Sequence, residues 1–209
     1  VVMPLSAVTD VATALRRYVE VGHDPLVFEG RAPAQQTKIC FVYAGNGAQW
    51  AGMGRLAYSN CPAFRRRFDA IDTAFCRISG RSLVADLHAD DIGEQIRCGA
   101  FVQPLMFAIQ SATTAALTEA GVRPDLVVGH SLGELAAADA SGILDLDDAL
   151  AVVTARSSCQ EQLRGKGTMA VFASSRTVVA DLLAELGRDD IEIAGENGPN
   201  SITVSGSTE

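Results

Sequence analysis

The sequence has 209 residues, of which 48% are hydrophobic and 20% charged, and a formal net charge of −8 at pH 7. These values predict a soluble globular protein with a sizeable core. The acidic balance and the lack of a basic run argue against nucleic-acid binding. The sequence contains no uninterrupted run of about 18 apolar residues, so it predicts no membrane helix. The start shows no secretory-signal pattern. Because it lacks an initiator Met, we expect a piece of a longer chain.

The cysteines show no C-x-x-C spacing and are odd in number. They are Cys40, Cys61, Cys76, Cys98 and Cys159. This pattern favours reduced thiols in a cytoplasmic protein over a disulfide framework or a zinc site. We therefore expect no metal.

The first part of the chain alternates helical and strand-like patterns. Residues 8–20 carry apolar positions at helical spacing, and the Gly- and Pro-rich stretch that follows predicts a linker. KICFVY, residues 38–43, predicts a buried strand that leads into a glycine-rich loop. Helices are predicted over residues 62–78 and 104–120, the second with Pro104 in its first turn.

The second part contains a strand, two helices and then a change of character. The strand is 126–129, and the helices are 134–141 and 146–163. After Gly165 the pattern predicts a strand at 168–174, a helix at 178–186, and two strands at 191–197 and 201–207. The sequence therefore predicts an α/β fold in which a short parallel sheet is flanked by helices, as in hydrolases. The final β-α-β-β order predicts the start of a small ferredoxin-like α+β subdomain.

The motif G-H-S-L-G, residues 129–133, stands between a predicted strand and a predicted helix. This arrangement is typical of a nucleophile elbow, in which small neighbours allow a tight turn and the serine sits at a helix N-terminus. Ser131 is then the candidate nucleophile, and the N–H of Leu132 a candidate oxyanion donor. A plain loop with a capping serine is the alternative interpretation of the motif.

Four motifs in order resemble the acyltransferase domains of polyketide synthases, which are relatives of malonyl-CoA:acyl-carrier-protein transacylases. They are FVYAGNGAQWAGMG, VQPLMFAIQ, GHSLGE and ARSSCQEQLRGKGTMA. The resemblance implies that residues 1–37 link a ketosynthase to the acyltransferase. It also implies a large subdomain at 38–165 and an incomplete small subdomain at 166–209.

The resemblance also implies the chemistry. Ser131 takes an acyl group from acyl-CoA, most simply malonyl-CoA, and passes it to the phosphopantetheine thiol of an acyl carrier protein, with no bound cofactor. The backbone N–H groups of Leu132 and Asn46 hold the oxyanion. The glycine-rich loop reads A-G-N-G-A-Q here, whereas the family usually has P-G-Q-G-S-Q, so Asn46 replaces a glutamine. Gln49 and Trp50 are expected to shape this loop.

Three further side chains match family positions. Arg156, 25 positions after Ser131, matches the arginine that binds the carboxylate of malonyl-type groups, a role that suits a planar guanidinium. Gln103 matches a glutamine near the active site. His130 matches the histidine before the serine, which we expect to line the pocket or to form a structural hydrogen bond, and not to act as the base.

The sequence offers no credible base. His23 lies in the predicted linker and His88 in a predicted polar loop, so we expect the catalytic histidine beyond residue 209 and little activity of this chain alone. Three alternatives stay open: an α/β-hydrolase esterase, a stand-alone transacylase of fatty-acid synthesis, and a non-catalytic scaffold.

Overall fold

The computed structural model describes residues 8–25, 27, 30 and 37–208, and the chain divides into two compact units, Val1–Lys38 and Ile39–Glu209. The first contains α1 (Val8–Val21), which ends where Gly22 adopts a positive φ and donates its N–H to Tyr18. Most of the sequence DPLVFEGRAPA, assigned above to a linker, lies outside the described residues.

The second unit begins with a two-stranded parallel sheet, as the fold class predicted. It consists of β1 (Cys40–Tyr43) and β2 (Leu126–Gly129), with Cys40 opposite Leu126. The Asp125 carboxylate accepts the Ile39 N–H at 2.8 Å and fixes this register at the start of both strands. The carboxyl ends of both strands therefore meet at one edge, where the glycine-rich loop and the G-H-S-L-G turn begin.

Helices pack around this sheet and form the core. They are α2 (Arg55–Asn60), α3 (Pro62–Ser79), α4 (Leu83–His88), α5 (Ile92–Gln95), α6 (Gly99–Glu119), α7 (Gly133–Ser141) and α8 (Leu146–Gln162). The face of α3 that carries Phe64, Phe68, Ile71 and Phe75 is buried, as its helical spacing predicted, and it packs against α6. Each of these fully buried side chains contributes roughly 1.5–3 kcal/mol.

α6 corrects the prediction for residues 104–120, because it begins five residues earlier and contains Pro104 in its interior. Proline lacks an N–H and so leaves the carbonyl of Ala100, four residues before it, without its helical partner. The Arg81 guanidinium donates to that carbonyl at 3.1 Å and to the Phe101 carbonyl at 3.2 Å. This side chain from outside the helix lets α6 continue through the proline.

By length and composition α6 could also cross a membrane, and it is the one such helix in the described part of the chain. Its side chains from Phe101 to Ala108 are buried, as are Ser111 and Ala112, and it packs between α3 and α8. It is a core helix.

The remaining elements form the predicted β-α-β-β unit. They are β3 (Gly167–Phe172), α9 (Arg176–Leu186), β4 (Ile191–Gly198) and β5 (Ser201–Ser207). The three strands form an antiparallel sheet in the order β3-β5-β4, with β5 in the centre. A small core of Val179, Ile202 and Val204 joins α9 to this sheet.

Two local expectations were incomplete. The sequence patterns did not predict α2, α4 and α5, which have six, six and four residues, because such short helices show no full hydrophobic period. His88, expected in a polar loop, is the last residue of α4, and its ring lies edge-on to Tyr58. All five cysteines are free thiols.

Candidate active site

Ser131 occupies a sharp turn between β2 and α7. Its φ is +54°, and it is the one non-glycine residue with a positive φ in the described part of the chain. The turn is closed by hydrogen bonds from the His130 N–H to the Tyr43 carbonyl (3.1 Å) and from the Gly133 N–H to the His130 carbonyl (2.9 Å). Such a backbone costs a non-glycine residue about 1–3 kcal/mol and is typical of functional positions. The motif is therefore a nucleophile elbow in its geometry, and not a relaxed loop.

The two glycines of the motif are required by close backbone contacts. A Cβ on Gly133 would lie 2.2 Å from the Tyr43 carbonyl oxygen, and a Cβ on Gly129 would lie 2.3 Å from the Glu134 nitrogen. Neither position can hold a side chain unless the backbone moves. The start of α7 thereby lies directly against the ends of β1 and β2, with Ser131 at its N-terminus.

The glycine-rich loop lies against the same turn. A Cβ on Gly45 would meet the His130 carbonyl oxygen at 2.8 Å and the Ser131 Cβ at 3.4 Å, so this loop passes beside the serine. Asn46 lines one cleft together with Ser131. Neither the Leu132 N–H nor the Asn46 N–H has a hydrogen-bond partner within residues 37–208. Both groups are therefore available as donors, which is what an oxyanion site requires.

Two glutamines hold this loop in place. The Gln49 side chain accepts the Gly47 N–H at 2.6 Å and donates to the Ile96 carbonyl at 3.4 Å, which agrees with its expected role in shaping the loop. Gln110, which the sequence reasoning did not single out, donates to the Ala44 carbonyl at 2.7 Å. Trp50 was expected to pack as well, but its side chain is 62% exposed.

Arg156 on α8 lies beside the serine. Its Nη2 donates to Ser131 Oγ at 2.7 Å, and its Nη1 donates to the Gln103 side-chain oxygen. Burial lowers the pKa of the guanidinium, and the charge of Glu134 partly opposes that effect. In the described part of the chain no carboxylate forms an ion pair with Arg156. A half-buried cation that forms no ion pair, next to a nucleophile, can bind a small anionic group.

Gln103 lies in the interior of α6 with 1% of its surface exposed. Its side-chain oxygen accepts from Arg156, and its Nε2 donates to Gln160 Oε1 at 2.7 Å. Gln160 was not predicted. The sequence feature that could have indicated it is its position four residues after Arg156, because residues at that spacing lie on one face of a helix.

Two open clefts meet at Ser131 and Arg156. One, of about 780 Å³, runs between the end of α8 and the small sheet, and Asn46, Gln160, Lys166 and Met169 also line it. The other, of about 520 Å³, is lined by His130, Glu134 and the end of β4. His130 thus lines a pocket beside the serine, as the sequence reasoning proposed.

Other predicted features do not join the site. His23 lies in the first unit, and His88 does not line either cleft. Within the described residues, no group of three or more His, Cys, Asp or Glu side chains could hold a metal ion.

Comparison with known proteins identifies the family. The family described as "Acyl transferase domain" matches residues 40–209, and the similar curated proteins are polyketide synthases. The chain belongs to the acyltransferase domain family of the polyketide synthases. It is 40% identical over 169 residues to the mycoketide-CoA synthase of Mycobacterium tuberculosis. It is 34% identical over 206 residues to a mycocerosic acid synthase-like polyketide synthase of the same organism.

Solved structures show the same family and fold. The acyltransferase domain from the second module of the salinomycin polyketide synthase is 36% identical and matches 99% of this chain with a TM-score of 0.86. A malonyl-CoA:acyl-carrier-protein transacylase from Burkholderia pseudomallei is 31% identical and matches 83% of this chain with a TM-score of 0.69. The elbow, the glycine-rich loop and Arg156 therefore share one site in a chain with the fold of these acyltransferase domains.

The chain spans only part of these proteins. It covers 48% of the salinomycin acyltransferase domain and 57% of the Burkholderia transacylase. It covers 4% of the mycoketide-CoA synthase and 10% of the mycocerosic acid synthase-like protein.

Proposed function

We propose that this acyltransferase loads a malonyl-type extender unit from CoA onto Ser131 and passes it to the phosphopantetheine thiol of an acyl carrier protein. The observation that carries the proposal is the Arg156 guanidinium, which lies 2.7 Å from Ser131 Oγ and has no carboxylate partner in the described part of the chain. No bound cofactor is needed, because the acyl-CoA is the substrate.

The position of Arg156 favours a carboxylated acyl group over a plain one. In a malonyl thioester a single methylene separates the reacting carbonyl from the carboxylate. A cation beside the attacking oxygen can therefore reach that carboxylate while the carbonyl lies at the serine. Gln103 holds Nη1 of the guanidinium. Nη2 is therefore the nitrogen that can turn from Ser131 to the incoming carboxylate. An acetyl group would offer no carboxylate to this half-buried charge.

The reaction is a double displacement through an acyl-serine ester. Ser131 Oγ attacks the thioester carbonyl, its proton passes to a base, and the tetrahedral oxyanion accepts hydrogen bonds from the N–H groups of Leu132 and Asn46. The C–S bond then breaks, and CoA leaves as a thiol after it takes the proton. The carrier thiol gives its proton to the same base and attacks the ester carbonyl. The C–O bond to Ser131 then breaks, the base returns the proton to Ser131 Oγ, and the acyl group remains on the carrier as a thioester.

Arg156 cannot be that base, since a guanidinium has donors only. We propose that the base is a histidine outside the described residues, and that His130 lines the pocket. The partners of the site are then an acyl-CoA, a carrier protein and an adjacent ketosynthase domain, in the cytoplasm. The chain covers only 4% and 10% of two polyketide synthases that it matches, so proteins of that size have room for such neighbouring domains, which supports this assignment.

Intact-protein mass spectrometry after incubation with malonyl-CoA tests the proposal. Because the chain spans about half of the solved domains, the assay uses both the chain alone and the complete acyltransferase domain that contains it. A malonyl adduct that disappears in Ser131→Ala and is released by a phosphopantetheinylated carrier protein is the expected result.

Two other results would contradict the proposal. A complete domain that forms no adduct would refute the malonyl assignment. Fast hydrolysis of p-nitrophenyl acetate without transfer to a carrier would favour an esterase.

A further inference from the structure

A row of side chains connects Gln160 to the serine through two intermediates. Gln160 Oε1 accepts from Gln103 Nε2 at 2.7 Å, the Gln103 oxygen accepts from Arg156 Nη1, and Arg156 Nη2 lies 2.7 Å from Ser131 Oγ. The first and third members, Gln160 and Arg156, lie one turn apart on α8, whereas Gln103 lies on α6. Gln160 itself lines the larger cleft and is exposed to it.

The chemistry of the groups fixes the direction of this row. A guanidinium offers donors and no acceptor, so the Gln103 oxygen must face Arg156. Its NH₂ group must then face Gln160, which has to present its own oxygen. Because Gln103 is 1% exposed, its NH₂ group would be left without a partner if Gln160 offered none.

The spacing between the two helices is held independently of Gln160. The next residue, Glu161, accepts the Gly99 N–H at 2.7 Å and so ties the end of α8 to the start of α6. The loss of the Gln160 side chain should therefore leave the helices in place and change mainly the orientation of the Gln103 amide.

We propose that Gln160 is a positioning residue for carboxylated donors: it fixes the orientation of the Gln103 amide, which holds the Arg156 guanidinium where a malonyl carboxylate binds. Without the Gln160 oxygen the buried NH₂ group of Gln103 loses its acceptor, so the Gln103 side chain can shift toward another acceptor and loosen its contact with Arg156. The guanidinium is then held less firmly, which weakens carboxylate binding. This inference rests on the proposed function and concerns the selectivity of the same site.

The test compares malonyl-CoA with acetyl-CoA in the complete acyltransferase domain. Gln160→Met keeps the length of the side chain and removes the acceptor. We expect the KM for malonyl-CoA to rise about three- to ten-fold, since one hydrogen bond is lost, with little change in kcat and in the parameters for acetyl-CoA. Gln162→Met, at the exposed end of the same helix, is the matched control and should change neither donor.

A double-mutant cycle tests whether Gln160 acts through Gln103. Gln103→Met should raise the malonyl-CoA KM by at least as much as Gln160→Met, and the double variant should equal Gln103→Met alone. Additive effects, or equal losses for malonyl-CoA and acetyl-CoA, would overturn the proposal and indicate a direct contact or a structural role. A wild-type domain that forms a malonyl adduct separates this failure from failure of the proposed function, and a wild type that forms none refutes both.

Discussion

Replacement of Arg156 should change the donor preference of the enzyme more than its capacity to acylate Ser131. In Arg156→Ala the cation that would pair with the malonyl carboxylate is removed, while the elbow and the proposed oxyanion donors stay. The serine should then still accept acetyl from acetyl-CoA, but it should lose most of its reactivity with malonyl-CoA.

The magnitude follows from the contacts of the guanidinium. Its Nη1 is already held by Gln103, so we count one charge-assisted hydrogen bond to the donor's carboxylate, from Nη2. A hydrogen bond of this kind is worth about 1.5–3 kcal/mol, which corresponds to a roughly 10- to 150-fold fall in kcat/KM for malonyl-CoA. Arg156→Lys keeps the charge and loses the planar fork, so its effect should be smaller.

The assay measures kcat/KM for malonyl-CoA and acetyl-CoA by the release of CoA thiol in the complete domain. Arg77→Ala is a suitable control, because Arg77 is 70% exposed and pairs only with Asp147 at 3.6 Å among the described residues. If Arg156→Ala lowered both donors equally, or left malonyl-CoA unchanged, the reasoning from the unpaired guanidinium would be refuted.

Three predictions concern the frame of the site. Gly133→Ala should lower the free energy of unfolding by about 1–3 kcal/mol in urea titrations, because its Cβ would lie 2.2 Å from a β1 carbonyl oxygen. Gly93→Ala is the control and should have little effect, because the nearest contact of its Cβ is 3.9 Å away. Ser131→Gly should unfold at a higher temperature than Ser131→Ala, because glycine accepts the φ of +54° without strain; equal midpoints would contradict this. The hydrogen bond to Asp69, aided by burial, raises the pKa of Tyr58 to about 12, so ultraviolet titration of Asp69→Asn should show that pKa falling toward 10. Since the folded pKa lies above the unfolded one, the stabilisation from Tyr58 should be complete below pH 10 and lost as the pH rises to about 12.

Local patterns were sufficient where a residue's environment depends on its neighbours in sequence. The glycines two positions to either side of Ser131 indicated a tight turn, and the structure shows why, since neither has room for a Cβ. The alternation of strands and helices after Gly165 also agreed with the structure, because these elements are long enough to show a full period. Short helices and the start of α6 did not follow from such patterns.

The sequence by itself determined the elbow, the two strands that carry it and the order of the small subdomain, because turn chemistry and hydrophobic periodicity are local properties. Only the tertiary structure decided which distant polar groups meet. Pro104 lies inside α6 because Arg81, far from it in sequence, takes up the carbonyl that proline leaves free. Arg156 acquires its place beside Ser131 because α8 packs on α6, where Gln103 can hold the guanidinium. The family resemblance placed Arg156 and Gln103 at the site, but the hydrogen bonds that join them depend on how the helices pack.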